Sequence, residues 1–208
     1  MKALAKTVLR HGYRYGVLYL HHRNHFPLLL NARGLTGQGA EVGVSQGGFS
    51  EHLLDSWKGR KLFSIDPWLE YPQETYCDVT NVSQEVQNGY YSEVRRKLAK
   101  FGERSCVLRL TSAEASAKFS DAQLDFVYID AQHHYEAVKE DISLWYHKVK
   151  AGGILGGHDY LDGNLENGVF GVKSAVDEFV SAHKLKLYVS ADPPFRSWFI
   201  FKNSLRNY

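Results

Sequence analysis

Residues 124–160, LDFVYIDAQHHYEAVKEDISLWYHKVKAGGILGGHDY, constrain the fold of this chain more than any other stretch. An apolar run ends on Asp130, a polar segment with helical spacing follows, and a second apolar run over 153–157 ends on His158 and Asp159. Strand, helix, strand is the order of a βαβ unit, whose right-handed crossover lays the two strands parallel. Both carboxylates then leave the same carboxyl edge of a sheet, where open α/β sheets bind their ligands. His133 and His134, just past the first strand, are expected there together with Asp130, His158 and Asp159.

The alternation extends to both sides of this unit. Residues 40–44 read as a short buried strand running into Gly43, Gly47 and Gly48, and a helix follows from Gly48 to Trp57. Residues 62–65 are a second strand ending on Asp66, about twenty residues after the glycines, the separation at which dinucleotide-type folds place a ribose-binding acid. Residues 107–110 are a third strand, and 89–101, 112–119 and 172–183 show helical spacing, with Ser112 expected as an N-cap. Two stretches without a clean period, 67–87 and 159–171, read as loops over the sheet edge, of the kind that covers a site. The final strands, 185–189 and 197–201, are joined by ADPPFR, too short for a crossover helix, so they must pair as an antiparallel hairpin. The expected fold class is α/β: a doubly wound, mostly parallel seven-stranded sheet finished by that hairpin. Residues 38–208 form this domain, and 1–37 form an N-terminal helical arm.

Composition narrows the classes of function. A chain of 208 residues suits one domain, and a formal charge of +2 supplies no electrostatic reason to expect a nucleic-acid partner. Cys77 and Cys106 form neither a disulfide framework nor a zinc cluster, which suits a reducing compartment and makes the cytoplasm the expected location. The basic N-terminus carries no apolar run long enough for a signal sequence or a membrane span, so stable membrane insertion is not expected. It reads as an amphipathic helix seated on the domain or on a second copy of the chain in a homodimer, with an interfacial membrane helix as the rival.

The segment EVGVSQGGF carries the first chemical signal. Its glycines let a ligand approach the backbone, and the helix that follows presents N–H donors. Glu41, however, points a carboxylate at this turn, which would repel a phosphate and attract a ligand bearing an ammonium group. S-adenosylmethionine is such a ligand. Asp66 would accept hydrogen bonds from its ribose hydroxyls, and residues 112–114 would meet the adenine.

With these residues in place the chain resembles a class I S-adenosylmethionine-dependent methyltransferase, over roughly residues 38–202. Asp130, His133, Tyr135, Glu136, Asp141, Gly152, Gly153, His158 and Asp159 match the pattern of a bacterial branch of that family, and Gln132 departs from it. The branch is similar to the divalent-cation-dependent O-methyltransferases of catechol and of macrolide sugars. The resemblance implies a cofactor set of Glu41, Gly43, Ser45, Gly47, Phe49, Asp66, Trp68, Ser112, Ala113 and Asp130. It implies Mg²⁺ or another divalent cation on Asp130 and Asp159; because Tyr160 stands where relatives carry Asn or Asp, His158, Asp162 or water would complete the metal set, and without a metal Asp130 would meet the methionine ammonium and Asp159 would be a capping or loop acid. The resemblance implies that His133 stands for the lysine of the catechol enzymes as general base, with Asp130 beside it and His134 and His158 as the nearby competitors. The acceptor is a small molecule, with a hydroxyl on a sugar or natural product favoured. Two other readings stand beside this one. Tyr135 and Lys139 have the spacing of a short-chain NAD(P)-dependent oxidoreductase, and a methyltransferase fold can serve as an inactive binding module.

Overall fold

A computed structural model describes residues 20–74, 76–166 and 168–202. In chain order its first half contains α1 (Phe26–Ala32), β1 (Gln38–Val42), α2 (Gly48–Ser56), β2 (Lys61–Asp66), α3 (Gln84–Leu98), β3 (Ser105–Arg109) and α4 (Ser112–Ser116). Then come β4 (Leu124–Ile129), α5 (Tyr135–Tyr146), β5 (Val149–Gly157), β6 (Asp162–Leu165), β7 (Gly168–Gly171), α6 (Val172–Ala182), β8 (Leu187–Val189) and β9 (Trp198–Phe201). One sheet has seven strands in the order β3-β2-β1-β4-β5-β9-β8. The first five run parallel, and β9 and β8 close the sheet antiparallel.

β4 is buried at every position, as a strand covered by helices on both faces must be. Its side chains alternate between two cores. Val127 and Ile129 pack with Val138, Ile142, Trp145 and Val176 of α5 and α6, whereas Phe126 and Tyr128 pack with Phe26, Leu30, Leu53 and Val94 on the other face. Register then aligns the site: Val42 lies opposite both Ile65 and Ile129, and Ile129 lies opposite Gly157. The next residues in each chain segment, Gly43, Asp66, Asp130 and His158, therefore step off the sheet at one level.

Several local expectations are revised. α3 begins at Gln84, so the excursion over the sheet edge is shorter than expected and ends with Ser83 before the helix. Thr111, not Ser112, caps α4, forming a reciprocal capping box with Glu114. β5 starts at Val149 and carries Gly152 and Gly153 through a register shift against β4. Residues 162–171 are not a loop but an antiparallel hairpin of β6 and β7, in which Val169 faces out and Phe170 faces in. A bridge between Asp78 and Gly168 ties the long loop to this hairpin.

The described part of the expected arm is a layer of the core. Phe26 is 1% exposed and its ring meets Phe126 and Tyr128 at 5.5 and 5.2 Å. Residues 1–19, on which the amphipathic helix and its docking to a second copy rest, lie outside the described residues. Among the described residues no helix is long and apolar enough to cross a membrane.

Candidate active site

A cavity of about 930 Å³ opens at the carboxyl edge of β1, β2, β4 and β5. Its floor begins at the glycine turn. Gly43 has φ +88°, and a Cβ there would lie 2.0 Å from the Asp130 carbonyl oxygen, so this close approach of two strand ends admits only glycine. Asp66 clamps the turn: Oδ2 accepts the N–H groups of Val44 and Ser45, each at 2.9 Å, and Oδ1 accepts that of Trp68 at 2.7 Å. Burial raises its pKa against those three donors. Glu41 lies deeper, 1% exposed, and accepts the Ser50 hydroxyl, which also bonds Ser64 at 2.8 Å. Burial pushes its carboxyl up to about 8.

Across the cavity, His133 lies between two carboxylates, with Nδ1 2.9 Å from Asp78 and Nε2 3.0 Å from Asp159. Phe170 of the hairpin stacks on its ring at 4.7 Å. Burial alone would lower the imidazole pKa, but the hydrogen bonds to Asp159 and Asp78 outweigh it and raise the value to about 10. His133 is thus an imidazolium at neutral pH. Asp159 sits at φ +53° and also takes His158 Nδ1 at 2.8 Å. Burial would raise its pKa, but hydrogen bonds from both histidines hold it below the usual carboxylate range.

Oxygen atoms of Asp130 and Asp159 and a ring nitrogen of His133 all lie within 4.8 Å of one another. Two carboxylates and an imidazole can hold a divalent cation, and Asp78 on the far nitrogen is the partner that fixes a ligating histidine. In this cluster the third donor is His133 rather than the expected His158.

Beyond geometry, residues 40–160 match the family described as Methyltransferase domain, more than half of the chain. The chain belongs to this methyltransferase family. A curated relative, an uncharacterized protein of Acanthamoeba polyphaga mimivirus, is 23% identical over 122 residues. That match covers 59% of this chain and only about half, 51%, of the relative's length. A putative O-methyltransferase from Klebsiella pneumoniae has a similar fold, with a TM-score of 0.59 at 12% identity over 96% of this chain and 90% of that one. The 1,6-didemethyltoxoflavin-N1-methyltransferase of Burkholderia thailandensis, solved with S-adenosylhomocysteine, gives a TM-score of 0.58 at 13% identity, covering 88% of this chain and 78% of that one.

In this methyltransferase domain Glu41, Gly43, Ser45, Phe49, Asp66, Ser112, Ala113, Asp130, His133, His158 and Asp159 all border the cavity. Two expected cofactor contacts do not. Trp68 is buried behind the turn, its indole N–H donating to the Ser45 carbonyl at 2.9 Å and its ring against Tyr91. Gly47, at φ +75°, is the N-cap of α2, and a Cβ there would touch Val94 at 3.0 Å. His134 precedes α5 with its ring near Tyr76, and Glu114 folds back onto Thr111, so neither reaches the cavity. The Tyr135 hydroxyl donates to Glu178 on α6 beside Lys139, away from the cavity, which removes the dehydrogenase reading of that pair. Sequence reasoning missed Arg23, His52, Asp78 and Asp141. Asp78 lies in a segment without periodicity, and Arg23 in the N-terminal stretch expected to be an amphipathic helix. Asp141 belonged to the matched pattern without an assigned role, and the structure shows it accepting the Ser112 hydroxyl, with burial pushing its carboxyl up to about 7.

Proposed function

We propose that this methyltransferase transfers the methyl group of S-adenosylmethionine to a hydroxyl on a sugar or other small natural product. The observation that carries the reading is the placement of two differently prepared ends in one cavity: a glycine turn clamped by Asp66 and backed by Glu41, and a histidine–carboxylate cluster facing it. Asp66 keeps one Oδ1 lone pair for a ribose hydroxyl, the glycine turn lets the ligand near the backbone, and Glu41 offers a carboxylate to the methionine ammonium. When bound, S-adenosylmethionine supplies a methyl on a sulfonium, so the protein's work is mainly alignment and removal of a proton.

The base assignment moves from His133 to His158. A histidine held as a cation by Asp78 and Asp159 has no lone pair for an incoming proton. His158 bonds Asp159 through Nδ1, which orients the ring and leaves Nε2 to take the acceptor proton as its oxygen attacks. Tyr76, Phe170 and Phe195 give the acceptor side an aromatic wall, and Val79 adds apolar surface. Such a wall suits the apolar face of a sugar ring or an aromatic product.

Asp130, Asp159 and His133 fit a divalent cation, which when bound supplies a Lewis acid for an acceptor oxygen. To join it, His133 must release its Nε2 proton while Nδ1 keeps its bond to Asp78. The mixed oxygen and nitrogen donors favour Mn²⁺ or a later transition metal over Mg²⁺. Titration calorimetry with S-adenosylhomocysteine and with NADPH, each with EDTA or with Mn²⁺, tests the whole reading. The expected outcome is binding of the first ligand only; binding of NADPH alone would overturn it.

A further inference from the structure

The methionine end of S-adenosylmethionine carries an ammonium and a carboxylate, and burying a carboxylate without a cation or donors is costly. The cavity is a hostile place for such a group, because Glu41, Asp66, Asp78, Asp130 and Asp159 all border it. Among the described residues that line it, Arg23 is the sole lysine or arginine. We propose that Arg23 binds the methionine carboxylate of the cofactor, so that the segment before α1 completes the cofactor site. This rests on the reading of the cavity as an S-adenosylmethionine site.

Three observations support the assignment. The guanidinium lies 4.2 Å from the centre of the Phe49 ring, in the first turn of α2, and therefore at the glycine-turn end of the cavity. One Nη donates to Asp130 at 2.9 Å, yet Nε is buried without a hydrogen-bond partner among the described residues. An arginine presents five N–H groups in a planar fork; Nε is closed off from the cavity, and the Asp130 pair uses one Nη donor, so the remaining Nη groups are the donors left for a carboxylate there. The backbone here is also anchored on two sides. Arg23 N–H donates to Asp192 at 3.1 Å, and the Asn24 carbonyl lies 2.8 Å from His52 Nε2 on α2. The side chain is thus held in place rather than free in solvent, with 21% exposure. Glu41 and Arg23 would then read the two charges of one zwitterion.

The test compares two ligands on the full chain: S-adenosylhomocysteine, which has the amino-acid group, and 5′-methylthioadenosine, which lacks it. Arg23→Met should weaken S-adenosylhomocysteine by about 10- to 100-fold, the range of a charge-assisted hydrogen-bonded pair, and leave methylthioadenosine within about twofold. Arg23→Lys should recover part of the loss, since it keeps the charge without the fork. Because Arg23→Met also strips Asp130 of its partner, the same change is made on Asp130→Asn, where it should still cost S-adenosylhomocysteine at least about fivefold. Equal loss on both ligands, unchanged S-adenosylhomocysteine affinity, or no cost on the Asp130→Asn background would each overturn the proposal. A wild-type protein that binds neither ligand would instead sink the cofactor reading on which it stands.

Discussion

Replacing His133 with Gln should flatten the alkaline stability profile of the protein. The side chain is 12% exposed and holds Asp78 and Asp159 at 2.9 and 3.0 Å, so its charge is shielded little by water. Its folded pKa, about 10, is raised above the ordinary 6.5. The sign follows: the imidazolium stabilises the fold in full below pH 6.5, and that contribution is lost as pH climbs through about 10. At about 1.4 kcal/mol per pH unit the rise sets an upper figure of about 5 kcal/mol. The same contacts depress Asp159, so the two are not added, and desolvation of the ions offsets part; a wild-type loss of roughly 2–3 kcal/mol is expected. Urea unfolding at pH 6 and pH 10.5 measures it. Glu41 and Asp141 also titrate above their usual range, but they are present in both proteins and cancel in the difference. If wild type and His133→Gln lose the same stability between those pH values, His133 is not the buried cation described here, and the reassignment of the base fails with it.

Asp66→Ala should weaken S-adenosylhomocysteine by about 1.5–3 kcal/mol, and should also lower the melting temperature because three backbone N–H groups lose their acceptor. Unchanged affinity by calorimetry would take Asp66 away from the ribose. His158→Ala should lower kcat by about 10²- to 10⁴-fold with cofactor affinity within roughly threefold; full kcat in that variant would return the base role to another group. S-adenosylhomocysteine binding should release a proton near neutral pH, because burial keeps Glu41 largely protonated below about 8 and a bound ammonium favours its ionised form. Affinity then rises from pH 6 to 8, by at most about tenfold per unit, and binding heats differ between phosphate and Tris buffers. A flat profile with buffer-independent heats would remove Glu41 from the ammonium.

Much of the site's frame was legible in the chain because parallel βαβ units obey local rules. An apolar run of strand length, a crossover of one hand and a polar residue at the strand's end suffice to place Asp66, Asp130 and His158 at one edge, and the register of β1, β2, β4 and β5 puts them there. Turn glycines were equally readable, since φ +88° at Gly43 tolerates no side chain so near Asp130. The hairpin of β6 and β7 was less so: each strand is four residues long, too short for its alternation to stand out from a glycine-containing loop.

What the sequence by itself determined, then, is the sheet, its carboxyl edge and the acids that leave it, because each depends on neighbours within a few tens of residues. Tertiary structure decided the charge of those groups. Asp78 reaches His133 from 55 positions away and Arg23 reaches Asp130 from 107, the first from a segment with no periodic signal and the second from an arm read only as an amphipathic helix. Whether a histidine is a base or a buried cation depends on the carboxylates that close around it, and loops of irregular backbone bring them there without any pattern that spacing alone could reveal.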